Sequence, residues 1–226
     1  MSAESPLPGN PDDFGLIETF LWTRAEGYWL AEGHRARIEL SARELGFAFS
    51  LEAYVCALAE ACAAPRAENL RVRLELRREG RLLTTVAPFT PDPPEKTWRV
   101  AVAGVRLDSR DPLLRRKTTR RAHYEEALKT AQAADASVDE VVFLNERDEI
   151  CEASRANLFL PRGKILLTPP LSCGLLAGVL RANLLCRGKA RVARLRLDDL
   201  AGGFMLGNAL RGLFRANLAV QPSISQ

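Results

Sequence analysis

The stretch Arg71-Val-Arg-Leu-Glu-Leu-Arg77 alternates charged and apolar residues without a break. A period of two places Val72, Leu74 and Leu76 on one face and the charges on the other, the pattern of a half-buried β-strand and not of a helix. Glu79-Gly80 turns this strand into another, Leu82 to Val86, so the pair reads as an antiparallel hairpin. A sheet with one apolar face needs a second layer to cover it, and the preceding residues supply one. Ile38, Ala42 and Leu45 recur at helical spacing within Gly33–Leu45, which Gly46 ends, and Ser50 is placed to cap a helix from Leu51 to Ala63 that stops before Pro65. Phe14 to Trp22 is apolar and β-rich, with Tyr28-Trp29-Leu30 as its partner across a turn at Arg24–Gly27.

After Pro88, Pro91, Pro93 and Pro94 have made a loop, Trp98 to Val105 returns as a strand. Residues 14–106 are therefore expected to form a small N-terminal α+β domain. Residues 1–13 read as a flexible N-terminus, 107–116 as an interdomain linker, and 117–226 as a C-terminal mixed α/β domain. In that second domain Thr119 is placed to cap a helix from Arg120 to Ala134. Strands follow at Glu140–Leu144, Glu149–Ala153, Asn157–Leu160 and Ile165–Leu167. Pro169-Pro170 interrupts, a helix runs from about Ala177 to Cys186, and Phe204–Leu206 leads through Gly207-Asn208 into a last strand.

Composition narrows the function. In 226 residues no apolar run approaches the roughly 18–20 needed to cross a bilayer, and the first residues lack the basic and apolar regions of a signal peptide, so a cytoplasmic location is expected. Five cysteines, odd in number and never in a C-x-x-C pair, argue against a disulfide framework or a zinc site, and two histidines leave few other metal ligands. The net charge of +4 is dispersed except around Arg115-Arg116-Lys117 and Arg120-Arg121. A nucleic-acid role would rest on that one cluster, with only Tyr124 as a neighbouring aromatic, and is not expected.

Lys117 is the lysine best placed for chemistry, because it opens a structured element after a linker. Lys164 and Lys189 lie in R-G-K turns, Lys96 in a proline-rich loop and Lys129 on a polar helix face. If Arg115, Arg116, Arg120 and Arg121 share its site they depress its pKa and favour the neutral, nucleophilic amine; otherwise it is one more solvated lysine in a basic run. Glu152 ends a strand beside the apolar Ile150 and Cys151 and precedes a small, polar turn. There it is either an exposed strand-end carboxylate or one able to hold a pyridinium N–H. Gly178, at a loop-to-helix junction, and the turn Gly207-Asn208-Ala209-Leu210 leave backbone N–H groups free to grip an anion, unless these glycines only permit the turns.

Together these pieces resemble the fold-type IV pyridoxal-phosphate enzymes, the class IV aminotransferase family, and within it most closely the aminodeoxychorismate lyases. The resemblance is carried by Phe14-Gly-Leu-Ile-Glu-Thr19, His34-Arg-Ala-Arg37, Lys117-Thr-Thr-Arg120 with Tyr124, Glu149-Ile-Cys-Glu152-Ala-Ser-Arg-Ala-Asn157, Gly174-Leu-Leu-Ala-Gly178-Val-Leu-Arg181 and Asn208-Ala-Leu-Arg211, in family order. It implies the two-domain D-amino acid aminotransferase-like fold, a homodimer with its site close to the subunit interface, and pyridoxal 5′-phosphate as cofactor. It further implies that Lys117 is the Schiff-base lysine and that Glu152 binds the pyridine nitrogen. Arg37 would hold the phosphate with backbone amides of Val179, Leu180, Asn208 and Ala209, and Leu176 would pack on the ring. Asn157 would lie near the cofactor, and Arg211 would take a substrate carboxylate. Departures from the family pattern are Leu180 and Asn208-Ala209, where Ser or Thr is usual, Cys151 for a threonine, and Asp148 for a turn glycine.

The resemblance implies one of two reactions on a small-molecule substrate: release of pyruvate from 4-amino-4-deoxychorismate to give 4-aminobenzoate for folate biosynthesis, or transamination of branched-chain or D-amino acids. An inert scaffold of the same fold is the remaining alternative.

Overall fold

In the computed structural model, which describes residues 14–219, the alternating segment is the third strand of a four-stranded antiparallel sheet. The strands are β1 (Leu16–Thr23), β2 (Gly27–Tyr28), β3 (Asn69–Leu76) and β4 (Leu82–Pro88), in the order β2-β1-β3-β4. Phe20, Val72, Leu74 and Leu76 are fully buried and form one core with α1 (Ala31–Leu45) and α2 (Leu51–Ala61). The expected caps are present: Gly46 closes α1 at φ 69°, and Ser50 Oγ accepts the Ala53 N–H at 3.2 Å. The expected partner strand Tyr28–Leu30 is shorter than its composition suggests, because Leu30 adopts φ 55° and turns the chain into α1. The expected flexible N-terminus, residues 1–13, lies outside the described residues.

A mixed eight-stranded sheet carries the rest. Its strands are β5 (Thr97–Leu107), β6 (Glu140–Asn145), β7 (Ile150–Ala153), β8 (Asn157–Arg162), β9 (Ile165–Thr168), β10 (Ala190–Val192), β11 (Phe204–Asn208) and β12 (Gly212–Leu218), ordered β10-β9-β8-β11-β12-β5-β6-β7. β6 is buried on both faces, Val142 and Leu144 in one core and Val141 and Phe143 in the other, which explains its unbroken apolar run. Helices α3 (Ala122–Ala134) and α4 (Val179–Cys186) pack on this sheet, and α4 also touches α1.

Three expectations are corrected. The strand around Trp98–Val105 does not close the first sheet: β5 runs parallel to β6 and β12, so the chain changes sheets in the proline-rich segment before residue 97, not at 107–116. Both partners lie far along the chain, and local periodicity carries no trace of them. Thr119 does not cap α3, which starts at Ala122 without a side-chain cap; its hydroxyl accepts the Gly15 N–H at 3.0 Å. The 107–116 segment holds a 3-10 turn, Pro112–Arg115, capped by Asp111, with Leu114 buried. Asp148, in place of a usual glycine, adopts φ 55°, a conformation that a short polar side chain tolerates.

Phe20 meets the Tyr28 ring edge-on at 5.3 Å and the His34 ring at 4.3 Å. Phe20→Ala is expected to lower unfolding stability by about 3–5 kcal/mol in urea titrations, while Val105→Ala, at a half-exposed position, changes it by less than about 1 kcal/mol.

Candidate active site

The segment 117–119 reaches its position by pairing with the start of β1. Ile17 N–H donates to the Lys117 carbonyl at 2.8 Å, Thr119 N–H to Gly15 O at 2.9 Å, and Leu16 and Thr118 form a bridge. A residue of the second half of the chain is thereby tied to the edge of the first sheet, and Lys117 lines a cavity of about 780 Å³ between the two sheets. Loss of hydration lowers the Lys117 pKa to about 7, aided by the Arg37 and Arg121 charges and opposed by Glu18 and Glu152. Of the local arginine run only Arg121 contributes as expected, and Arg37 from α1 adds a charge from elsewhere in the chain: Arg116 pairs with Glu44, and Arg120 is exposed.

Glu152, on β7, is buried in the same cavity. Its Oε1 accepts the Tyr124 hydroxyl at 2.8 Å and its Oε2 the Leu176 N–H at 3.1 Å. Asn157 Nδ2 lies 3.4 Å from Oε2 and donates to the Leu176 carbonyl at 3.0 Å, which holds the Leu176 segment against the carboxylate. Burial raises the Glu152 pKa to about 7, with the hydrogen bonds from Tyr124 and Leu176 and the charges of Arg121 and Lys117 acting the other way. A cationic N–H donor arriving at this carboxylate would hold it ionised.

The third part is the N-terminus of α4. Gly178 is its N-cap without a side-chain bond, so the first-turn N–H groups of Val179 and Leu180 lack helical partners. A Cβ on Gly178 would stand 1.9 Å from Asn157 Oδ1, and one on Gly33 would stand 2.7 Å from Val179 Cγ1, so both glycines permit close approach here. Arg37 reaches the same place from α1: Nη1 donates to Ala177 O at 3.3 Å, while Nε and Nη2 donate to the two Glu18 oxygens at 2.8 and 2.5 Å. In the second turn, Asn208 Oδ1 accepts the Leu210 and Arg211 N–H groups and Nδ2 donates to Arg155 O. The Asn208 side chain is committed to shaping its own turn, and the Ala209 N–H takes no part in these bonds.

Lys117, Glu152, Asn157, Leu176, Val179, Asn208, Ala209, Arg37 and Arg211 all line the cavity, and Leu180 is buried behind it. Arg211 sits at its margin, over the rings of Phe89 and Trp98 at 5.4 and 5.6 Å and 3.6 Å from Asp92, too far for a hydrogen bond. Sequence reasoning missed what Glu18, His34, Tyr124, Arg71 and Arg73 do. A lone carboxylate in the apolar run of β1, and the i, i+3 spacing of His34 and Arg37, were the available signals for the first two. The charged face of β3 was visible, but not the cavity it lines.

A basic donor, an acid near neutrality and a bare helix N-terminus in one cavity suit a phosphate ester that bears both a carbonyl and a ring nitrogen. Comparison with known proteins agrees. The sequence pattern of the amino-transferase class IV family matches residues 15–218. A Schizosaccharomyces pombe protein provisionally named an aminodeoxychorismate lyase is 29% identical over 223 residues, 93% of this chain and 92% of that protein. A solved Mesorhizobium loti structure, provisionally named an amino-acid aminotransferase, is 40% identical with a TM-score of 0.87, covering 92% of this chain and 100% of that one. The 4-amino-4-deoxychorismate lyase of Pseudomonas aeruginosa shares the fold, with a TM-score of 0.77 at 23% identity over 98% of this chain and 89% of that one. The chain belongs to the class IV aminotransferase family.

An amine with a pKa of about 7 reacts as the free base above that pH. Competitive labelling with acetic anhydride, read by peptide mass spectrometry, is expected to show Lys117 reactivity levelling off above about pH 7.

Proposed function

We propose that this member of the class IV aminotransferases is a pyridoxal-phosphate-dependent 4-amino-4-deoxychorismate lyase that forms 4-aminobenzoate and pyruvate. One observation carries the choice of substrate. The face of β1 and β3 turned to the cavity carries Thr19, Arg71 and Arg73, with Arg211 near Arg71 on the facing side. Arg73 shares Glu75, whereas Arg71 has no ion pair among the described residues. Guanidinium groups there suit a substrate with two carboxylates, and a branched aliphatic side chain would desolvate them without return.

Pyridoxal phosphate, when bound, supplies the electron sink for the bond-breaking step. In this reading Lys117 would hold the cofactor, and its neutral amine is the group placed to take the substrate's ring proton. Glu152 fixes the ring nitrogen, with Tyr124 and Asn157 orienting the carboxylate. Arg37 and the amides of Val179, Leu180 and Ala209 would hold the phosphate, Leu176 would pack on the cofactor ring, and Arg211 with Arg71 would position the substrate carboxylates. The reaction breaks one ring C–H and one C–O bond, gains aromaticity, and consumes no water or second substrate, so orientation is the main demand on the protein. We place the enzyme in folate biosynthesis, in the cytoplasm, and as a homodimer. For the dimer, β4 is an edge strand of its sheet among the described residues, with Leu83 and Val86 exposed on its two faces, and a second copy could pair along it. The competing reading, amino-acid transamination, is favoured by the name of the Mesorhizobium loti structure.

Incubation of the loaded enzyme with 4-amino-4-deoxychorismate is expected to release pyruvate, followed by a lactate-dehydrogenase couple, in step with 4-aminobenzoate. Turnover of leucine or D-alanine with 2-oxoglutarate, and no pyruvate, would overturn the assignment. Arg71→Ala is expected to raise KM about tenfold with kcat little changed, the signature of lost uniform binding.

A further inference from the structure

The anion-binding end of the cavity is short of a positive charge. Arg37 is the guanidinium at the α4 N-terminus, but it is bonded through two nitrogens to buried Glu18. The Arg37 charge, with hydrogen bonds from Arg37 and His34, opposes burial and holds Glu18 below the usual carboxylate range, so the Arg37–Glu18 pair carries no net charge. A phosphate ester arriving there as a dianion meets N–H donors and a helix dipole, and little else to balance it.

His34 is the group able to change this. It lies three residues before Arg37 on the same face of α1 and is 1% exposed. Its Nδ1 is 2.6 Å from Glu18 Oε2. An ionised carboxylate only accepts, so Nδ1 carries the proton and the neutral ring leaves its lone pair on Nε2. That Nε2 is buried without a hydrogen-bond partner, in a side chain that lines the cavity. The groups facing it are Glu18 from β1, Arg37 from its own helix and Lys117 from the loop before α3. Tyr54 of α2 stands beyond Glu18, the Phe20 ring lies against the imidazole, and α4 offers Val179 against Gly33. Without a ligand, burial, Arg37 and Lys117 outweigh the pull of Glu18 and keep the ring neutral.

We propose that His34 is a further residue of the phosphate site: it takes a proton from solvent onto Nε2 as a phosphate monoester dianion binds beside Arg37, so that His34 and Arg37 together outweigh Glu18. The neutral imidazole becomes imidazolium, and no other bond changes. The inference rests on the reading of this end of the cavity as the cofactor's phosphate site.

The chain has two histidines, so each ring can be followed by NMR in the whole protein, with His123→Gln assigning the signals. Pyridoxine 5′-phosphate is the probe, because it lacks the aldehyde that would join Lys117. With the probe bound, the His34 pKa is expected to rise by at least about one unit relative to the free protein, with His123 as the internal reference. His34→Gln, compared with the parent at each pH so that ionisation of the probe cancels, is expected to bind it about tenfold more weakly near pH 6.5 and to lose the proton-linked part of the affinity. Saturable binding with His34 neutral throughout, or with His34→Gln unaffected, would overturn the inference and leave the phosphate site standing. Failure of the probe to bind at any pH would overturn both.

Discussion

Two groups of opposite charge type share one poorly hydrated space, and the structure is organised around keeping them there. Burial drives the Lys117 pKa down and the Glu152 pKa up, so that both meet near 7. The two shifts share their largest cause, loss of water, acting on ions of opposite sign. Neither residue would occupy the cavity unless backbone bonds placed it there. Lys117 is fixed by pairing with the start of β1, and Glu152 by β7 in the second sheet. The cavity exists because the two sheets are joined at that point.

A second buried carboxylate, Glu18, organises the opposite end. It holds Arg37 and His34 on one face of α1, and the close contact of Gly33 with Val179 brings that helix to the N-terminus of α4. The groups at this end of the cavity therefore come from three separate parts of the chain, α1, the start of α4 and the 207–210 turn, and Glu18 fixes the one from α1. Breaking such a pair by removing one partner leaves the other charge buried and uncompensated, which costs far more than the pair itself contributes.

Outside the cavity, a third polar cluster supports the loop that delivers Leu176 to Glu152. Glu149 accepts from Asn145, Arg147 and Arg194, and Asn145 and Cys151 both donate to the Cys173 carbonyl. Arg147 reaches the Ser172 carbonyl. Leu176 can meet Glu152 because the residues before it have little freedom left.

Much of this was legible in the residues. The alternation at 71–77, the helix stop at Gly46 and the Ser50 cap each report a local preference, and each was present where expected. The order of the motifs pointed to the family and to Lys117 and Glu152, because the spacing of chemical groups along a chain survives in the sequence. What tertiary structure alone decided was which sheet received β5, that Lys117 is buried with Arg37 beside Arg121, that Thr119 ties down Gly15, and that Arg71 and Arg211 come together at the cavity. Periodicity records which side of a segment is dry. The partner of a charge, and the sheet that a strand joins, depend on residues a hundred positions away, and only the folded chain brings those within the few ångströms over which hydrogen bonds and desolvation act.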